Sequence, residues 1–159
     1  MPFKLQSILN SRLMHHVACL KNNKDALDVA NLCEFIKRSK HLVTLNLFRS
    51  STGVFGASAI AEAISQSKSL TAMDLYWNEF SDDGAFAIAQ AIKQSQSLTT
   101  VRLGRNSISD KGAFAIAEAI KQSKSLADVN LSFNPIGVAG AAAISDAIKQ
   151  SQSLIKVNL

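Results

Sequence analysis

The chain has 159 residues, a hydrophobic fraction of 47% and only two prolines, which fits one folded domain or one short repeat array and excludes a disordered chain. The net charge is +5, and much of it sits in similar segments such as IKQSQS and IKQSKS, where lysine near a helix C-terminus stays solvated. Nucleic-acid binding would prefer a continuous basic stripe and is not favoured.

The N-terminal segment MPFKLQSILNSRLMHH is basic and contains no acidic residue, as in some targeting presequences, but it also fits the repeat register described below. The two cysteines, Cys19 and Cys33, fall at apolar positions of that repeat, and a secreted disulfide scaffold would need more of them. They predict reduced core residues and a cytoplasmic location. The longest strongly apolar run, GAFAIAQAI, is too short to span a bilayer, so no membrane segment is predicted.

An internal repeat with a period of 28 organises the chain. Residues 84–98 and 112–126 differ at two positions. The same offset links three apolar columns, which read Leu42, Leu70, Leu98, Leu126 and Leu154, then Leu45, Met73, Val101, Val129 and Val157, then Leu47, Leu75, Leu103, Leu131 and Leu159. Met14, Val17 and Cys19 extend the columns backwards, so six strand segments are predicted in one register.

Each unit combines the periodicities of a strand and of a helix. Within residues 98–106 the apolar positions are Leu98, Val101 and Leu103, and the last two alternate with polar residues as in a half-buried strand. Residues 108–122 then switch to helical spacing, with Ser109 before Asp110 as the predicted N-cap. Each unit is therefore a strand, a turn, a helix and a turn, and its apolar face is covered only when neighbouring units stack.

Two further columns indicate how the units join. An asparagine amide after the strand is expected to hydrogen-bond the backbone of its own turn and of the next unit, at Asn22, Asn78, Asn106 and Asn134. Ser50 takes this position in one unit, where its shorter side chain predicts a looser turn. A glycine at the helix start is expected to permit close approach of neighbouring backbone, at Gly56, Gly84, Gly112 and Gly140. Asp28 replaces it in the N-terminal unit, which is more polar, as an end cap requires.

These columns carry a resemblance to a known family. The pattern LxxLxLxxN, followed by a helix containing GAxAIAxAI, is similar to the ribonuclease-inhibitor class of leucine-rich repeats, whose relatives include the repeat tails of NOD-like receptors and the Ran GTPase-activating proteins. The resemblance covers residues 3–159. It implies an α/β solenoid, a horseshoe with parallel strands on the concave face and helices on the convex face. Residues 1–41 are expected to form a degenerate N-terminal repeat or cap, and residues 42–159 the repeats, ending in a partial one.

The columns that vary between units indicate the candidate binding site. Framework positions hardly change, whereas the outward-facing strand residues and the residues just after them do, and these should project from the concave face and its ascending rim. They include tryptophan, tyrosine and arginine, the residue types that dominate interface hot spots. The predicted partner-binding residues are Phe48, Arg49, Tyr76, Trp77, Arg102, Arg105 and Phe133. The alternative is that the aromatic rings merely cover neighbouring strands, with the arginines stacked on them.

Catalytic motifs are absent from the sequence, which contains no GxSxG, Walker-type loop, HExxH or CxxC. His15, His16 and His41 have no carboxylate or thiolate partner at a ligand-like spacing, so no metal or other cofactor is expected. The sequence therefore predicts a non-enzymatic module that binds a protein partner. The resemblance leaves one enzymatic alternative, a GTPase-activating role, in which Arg49 or Arg105 would stabilise phosphoryl-transfer charge.

The end of the chain raises a second alternative. The sequence stops at Leu159, the last core position of a strand, which would leave an unpaired sheet edge. We expect a fragment of a longer array, an edge that pairs with another copy, or a frayed end, so a self-assembling structural repeat fragment is the second alternative. On the helices, Phe86 and Phe114 are expected to pack against small residues of the adjacent helix.

Overall fold

The structure, a computed structural model, describes residues 17–19 and 26–159. Within them, strands and helices alternate as β1 (Val17–Cys19), α1 (Ala26–Arg38), β2 (Thr44–Asn46), α2 (Gly53–Gln66), β3 (Ala72–Asp74), α3 (Ser81–Gln94), β4 (Thr100–Arg102), α4 (Asp110–Gln122), β5 (Asp128–Asn130), α5 (Val138–Gln150) and β6 (Lys156–Asn158). The strands form one parallel sheet in chain order. The predicted α/β solenoid is confirmed, and no helix of the described part is long and apolar enough to cross a bilayer.

The strand register follows the predicted period from β2 onwards. Leu45 pairs with Met73, and Met73 with Val101, each one full period further along the chain. At the β1–β2 pair, however, Ala18 lies beside Leu45, an offset one residue shorter than the period. The prediction that Val17 occupies the Leu45 column is therefore wrong by one residue, because a parallel ladder joins backbone groups that are alike at every residue and a degenerate apolar pattern does not fix the register. The predicted column residue Met14 lies outside the described residues.

The core lies between the sheet and the layer of helices. The middle residue of each strand from β2 to β5 is buried, and the flanking residues face the opposite side of the sheet. Each helix contributes a stripe of alanine and isoleucine, which in α4 comprises the buried residues Ala113, Ile116, Ala117, Ala119 and Ile120. Small alanine side chains let the helices lie close to one another, so each unit covers the apolar face of its neighbour.

Asn78, Asn106 and Asn134 join the units, but their partners lie in their own turn and in the preceding unit, not in the next unit as predicted. The predicted Asn22 lies outside the described residues. The Asn106 amide donates to the carbonyl of Leu75 in the preceding unit at 2.8 Å and to that of Leu103 at 3.1 Å, while its Oδ1 accepts from the backbone N–H of Asn78 at 2.8 Å. Asn78 in turn accepts from the backbone N–H of Ser50 at 3.1 Å. Ser50 is fully buried, so the next unit holds the turn after β2. The prediction of a looser turn at this position is therefore wrong.

An aspartate in one helix caps the next helix, a connection that the sequence analysis missed. Asp82, in the first turn of α3, accepts hydrogen bonds from the Ser109 N–H at 2.8 Å, the Ser109 hydroxyl at 2.7 Å and the Gly112 N–H at 3.0 Å. Ser109 is itself the N-cap of α4, as predicted. Partial burial opposes ionisation of Asp82, but the hydrogen bonds from Ser109 and Gly112 and the charge of Lys111 lower its pKa below the ordinary value of 3.8.

Two glycines of the column, Gly112 and Gly140, make room for these carboxylates, whereas a Cβ atom on Gly56 would meet Thr52 and one on Gly84 would meet Phe80 and Ala57. A Cβ atom on Gly112 would lie 2.7 Å from Asp82 Oδ1 and 3.0 Å from the Cβ of Ala85. A Cβ atom on Gly140 would lie 2.6 Å from Oδ1 of Asp110, the residue that caps α5. The groups that approach Gly112 and Gly140 closely are side chains of the preceding helix, and not neighbouring backbone as predicted.

Substituting Asn106 tests the asparagine connections. In Asn106→Ala, buried carbonyl and N–H groups of two units lose their partners, and we expect the free energy of unfolding to fall by roughly 2–4 kcal/mol. Urea titration followed by circular dichroism measures this. Asn158→Ala, at an exposed position of β6, is the matched control and should change the value by less than about 0.5 kcal/mol. Equal effects of the two variants would contradict the assignment.

The Asp82 cap predicts a pH-dependent stability. Because its pKa is lowered by folding, the carboxylate stabilises the native state above its ordinary pKa of 3.8, and this contribution is lost as the pH falls through the lowered pKa. Asp82→Ala should cost about 1–2 kcal/mol at neutral pH, and its difference from the native chain should shrink in urea titrations below pH 3.8. Asp83→Ala is the matched control, because it removes the same charge from an exposed neighbouring residue. A difference that does not depend on pH would rule out this role.

Candidate functional site

Turns after the strands place Phe48 and Tyr76 in one row on the outward side of the sheet. The Asn46 side chain accepts from the Phe48 N–H at 3.0 Å, and the Asp74 carboxylate accepts from the Tyr76 N–H at 3.1 Å, so the same local turn follows β2 and β3. The Phe48 and Tyr76 rings stack with their centroids 5.7 Å apart and their planes inclined by 25°. Both side chains are half-buried.

Gly104 continues this row and leaves space for the tyrosine ring. A Cβ atom on Gly104 would lie 2.6 Å from Tyr76 Cδ2 and 3.0 Å from the carbonyl oxygen of Ser132. The ring of Tyr76 therefore lies against the backbone of the next unit, and the small residue that follows β4 is a condition for the Phe48–Tyr76 stack.

A second row, on the ascending rim, brings together Arg49, Trp77 and Arg105. The guanidinium carbon of Arg49 and that of Arg105 each lie 4.1 Å from the centroid of the Trp77 ring. The two arginines belong to the units on either side of Trp77, so the ring lies between two cations. Such cation–π contacts are strongest with tryptophan. Arg49 and Arg105 therefore contact Trp77 and not Phe48 or Tyr76, contrary to one part of the alternative interpretation of the sequence. The other part, that the rings cover neighbouring strands, agrees with the position of Tyr76 against Gly104.

The backbone of this second row is left-handed. The φ angles are 54° at Arg49, 60° at Trp77 and 56° at Arg105, a region that residues other than glycine seldom adopt. Hydrogen bonds between units hold it, since the Trp77 N–H donates to the Gly104 carbonyl at 3.0 Å and the Arg105 N–H to the Ser132 carbonyl at 2.9 Å. The repeat framework thus imposes one backbone conformation on side chains that differ from unit to unit.

The floor of the concave face carries opposite charges on neighbouring strands. Arg102 lies 3.6 Å from Asp74, and Lys156 lies 3.9 Å from Asp128. With both aromatic rings of the first row they border a groove of about 260 Å³, which is lined by Phe48, Asp74, Tyr76, Arg102, Asp128, Asn130, Lys156 and Asn158. Asp128 and Lys156 were not among the residues predicted from the sequence, although their column also varies between units.

Phe133 continues the second row beyond Arg105. Its φ is 58°, and 77% of its surface is exposed. The structure thus brings six of the seven predicted residues into the two sets of ring contacts and the groove beside them, whereas Phe133 extends the second row without joining these contacts.

Other residues singled out in the sequence contribute nothing to this surface. Phe86 and Phe114 are 52% and 47% exposed on the helical side, so they pack only partly. Cys33 is a free, buried thiol whose pKa is raised by burial. His41 is exposed, His15 and His16 lie outside the described residues, and the described part of the chain has no cluster of three or more His, Cys, Asp or Glu side chains that could hold a metal.

Comparison with known proteins agrees with the repeat architecture. A family model described as a leucine-rich repeat matches residues 66–89, 94–117 and 122–145, so each match begins before a strand and ends in the following helix. No match is found among curated proteins.

Solved structures share the fold at low sequence identity. The structure of leiomodin-1 actin-binding site 2 superposes with a TM-score of 0.77 and 23% identity, and the match covers 84% of this chain and 79% of that one. The C-terminal domain of tropomodulin from Caenorhabditis elegans superposes with a TM-score of 0.76 and 18% identity, covering 92% of each chain. At these identities the likeness concerns the fold alone.

A double-mutant cycle tests the contact between Tyr76 and Gly104. Gly104→Ala in the native chain should force the Tyr76 ring aside and destabilise the protein, whereas in the Tyr76→Ala background that part of the cost disappears. We expect a coupling of about 1 kcal/mol or more, measured by thermal unfolding or urea titration. Additive effects of the two substitutions would show that the ring does not lie against Gly104.

Proposed function

Because the chain belongs to the leucine-rich-repeat proteins, we propose that it is a non-enzymatic protein-interaction module that binds a protein partner through its concave face and ascending rim. One observation carries this proposal: side chains from successive units form two adjoining rows, the Phe48–Tyr76 stack and the Arg49–Trp77–Arg105 stack. We call these residues, together with Arg102 and Phe133, the binding surface.

The construction of the binding surface favours protein recognition. Tryptophan, tyrosine and arginine give much contact area, and a side chain already held in a stack loses little conformational freedom when a partner binds. Tyr76 and Trp77 are half-buried in the free chain, so their rings are held by neighbours while one part of each stays accessible. The groove beside them is shallow, whereas small-molecule sites are enclosed pockets. The groove therefore suits a protein segment better than a small molecule.

The structural relatives support the general role. The leiomodin-1 structure is named as an actin-binding site, which is an instance of this fold serving protein binding. One fold serves many partners, so the partner of this chain has to be derived from its own surface.

The alternatives stay predictions, as does membership of the ribonuclease-inhibitor class within the leucine-rich-repeat family. For GTPase activation, Arg49 or Arg105 would have to reach a phosphate, and both guanidinium groups lie against Trp77. Self-association would use β6, the last strand of the sheet order. A cytoplasmic location rests, as before, on the two cysteines.

Removing the aromatic side chains of the binding surface tests the proposal. The double variant Tyr76→Ala with Trp77→Ala should lose captured protein partners by at least about tenfold, because truncation of such anchors costs roughly 2 kcal/mol or more each. Immobilised native and variant chains are compared by quantitative mass spectrometry of the proteins they retain from lysate.

The matched control removes two aromatic rings from the helical side. Phe86→Ala with Phe114→Ala deletes partly exposed aromatic surface of the convex face and should leave capture unchanged. Thermal unfolding is recorded for all chains, so that loss of binding is compared among folded proteins. If both double variants lose the same partners to the same extent, the concave face and ascending rim are not the binding surface.

A further inference from the structure

Charge is distributed unevenly over the concave face and its ascending rim. On the concave floor, each of two cations lies beside a carboxylate of a neighbouring strand, Arg102 beside Asp74 and Lys156 beside Asp128. The floor residues that border the groove therefore nearly neutralise one another. A charged partner gains little there, because it would have to compete with these ion pairs.

The ascending rim differs from the floor. Arg49 and Arg105 are exposed, and within residues 29–159 neither guanidinium has a carboxylate within ion-pair distance. The one acidic residue in the same loop as Trp77, Glu79, is exposed and pairs with neither arginine. Neither of these two positive charges is thus paired with a carboxylate in the described part of the chain.

The contact with Trp77 holds these two groups at the rim. A cation–π contact uses none of the guanidinium N–H groups in a hydrogen bond to an oxygen acceptor, so these donors stay available. The guanidinium N–H groups of Arg49 and Arg105 make no hydrogen bond to another described residue. Arginine presents these donors as a planar fork that matches a carboxylate.

We propose that the rim formed by Arg49, Trp77 and Arg105 binds an acidic segment of the partner protein, with one carboxylate on each guanidinium. This inference rests on the proposed function and names the chemistry of the partner. Each guanidinium carbon lies 4.1 Å from the Trp77 centroid, so the two are at most about 8 Å apart. In an extended peptide, alternate side chains share one face and lie about 7 Å apart. The segment that fits is therefore extended, with acidic residues at alternate positions.

Nucleic acid fits the same rim less well. Single strands bind by stacking bases on free aromatic faces, whereas the Trp77 ring lies between two guanidinium groups. Carboxylates on a peptide need no free aromatic face and can bind the guanidinium groups directly.

The chain contains its own reporter of this site, because Trp77 is the only tryptophan in the sequence. The probe is a short peptide of alternating Glu and Gly, and the reference is the same peptide with Gln in place of Glu. In about 0.15 M salt, where long-range attraction between exposed charges is screened, the Glu peptide should change the tryptophan emission saturably and the Gln peptide should not. No response to the Glu peptide, or an equal response to both, would overturn the proposal on the native chain, without any variant.

A matched pair of variants locates the binding. Arg49→Gln with Arg105→Gln should weaken binding of fluorescein-labelled Glu peptide, measured by anisotropy, by at least about tenfold, since each charge-assisted hydrogen bond contributes appreciably to affinity. Lys68→Gln with Lys124→Gln removes the same charge from exposed positions in loops that precede strands, at the opposite rim, and should change binding less than about twofold. Equal weakening by both pairs, or tighter binding of an oligothymidine strand than of the peptide, would overturn it.

The two proposals fail in different ways. If the Glu peptide does not bind, while Tyr76→Ala with Trp77→Ala still abolishes partner capture and the Phe86 and Phe114 control does not, the chain binds proteins but not through an acidic segment. If neither aromatic pair affects capture, the proposed function itself fails, whatever the peptide does.

Discussion

The short strands of this protein leave backbone groups that a single unit cannot satisfy, and the neighbouring unit supplies what is missing. Asn106 connects its own turn to the carbonyl of Leu75 in the unit before and to the N–H of Asn78. On the helical side, Asp82 accepts hydrogen bonds from backbone N–H groups at the start of α4, in the following unit. Buried amides without partners are costly, so stacking at a constant period is the condition under which each unit is stable.

The binding surface is a consequence of that stacking. Arg49, Trp77 and Arg105 come from three successive units, and none of these units contains the stack by itself. The backbone ladder that joins the units also holds these residues at positive φ, a conformation that costs about 1 kcal/mol or more for each of them. The framework therefore stabilises a strained loop in which side chains can vary, which explains how the framework stays constant while the surface changes.

The sequence by itself determined the repeat, and from it the order of elements, the parallel sheet and the core. These followed because the apolar columns from Leu42 onwards return at a constant offset, and a residue's column decides whether it faces the core. The asparagine bond within its own turn and the Ser109 cap were predictable for the same reason, since both act within one turn or at one helix end. The asparagine bonds to the preceding unit were predicted for the wrong neighbour. The seven candidate residues were found as variable positions, and their role in binding stays a prediction.

The tertiary structure alone decided which side chains meet across units. The Asp82 carboxylate reaches Ser109 in the following unit, and Trp77 lies between two arginines of different units. Such contacts depend on backbone angles, on side-chain rotamers and on the spacing between units, which a periodic pattern does not contain. The shifted pairing of Ala18 with Leu45 has a related cause: where the pattern is weak, equivalent backbone hydrogen bonds allow more than one register.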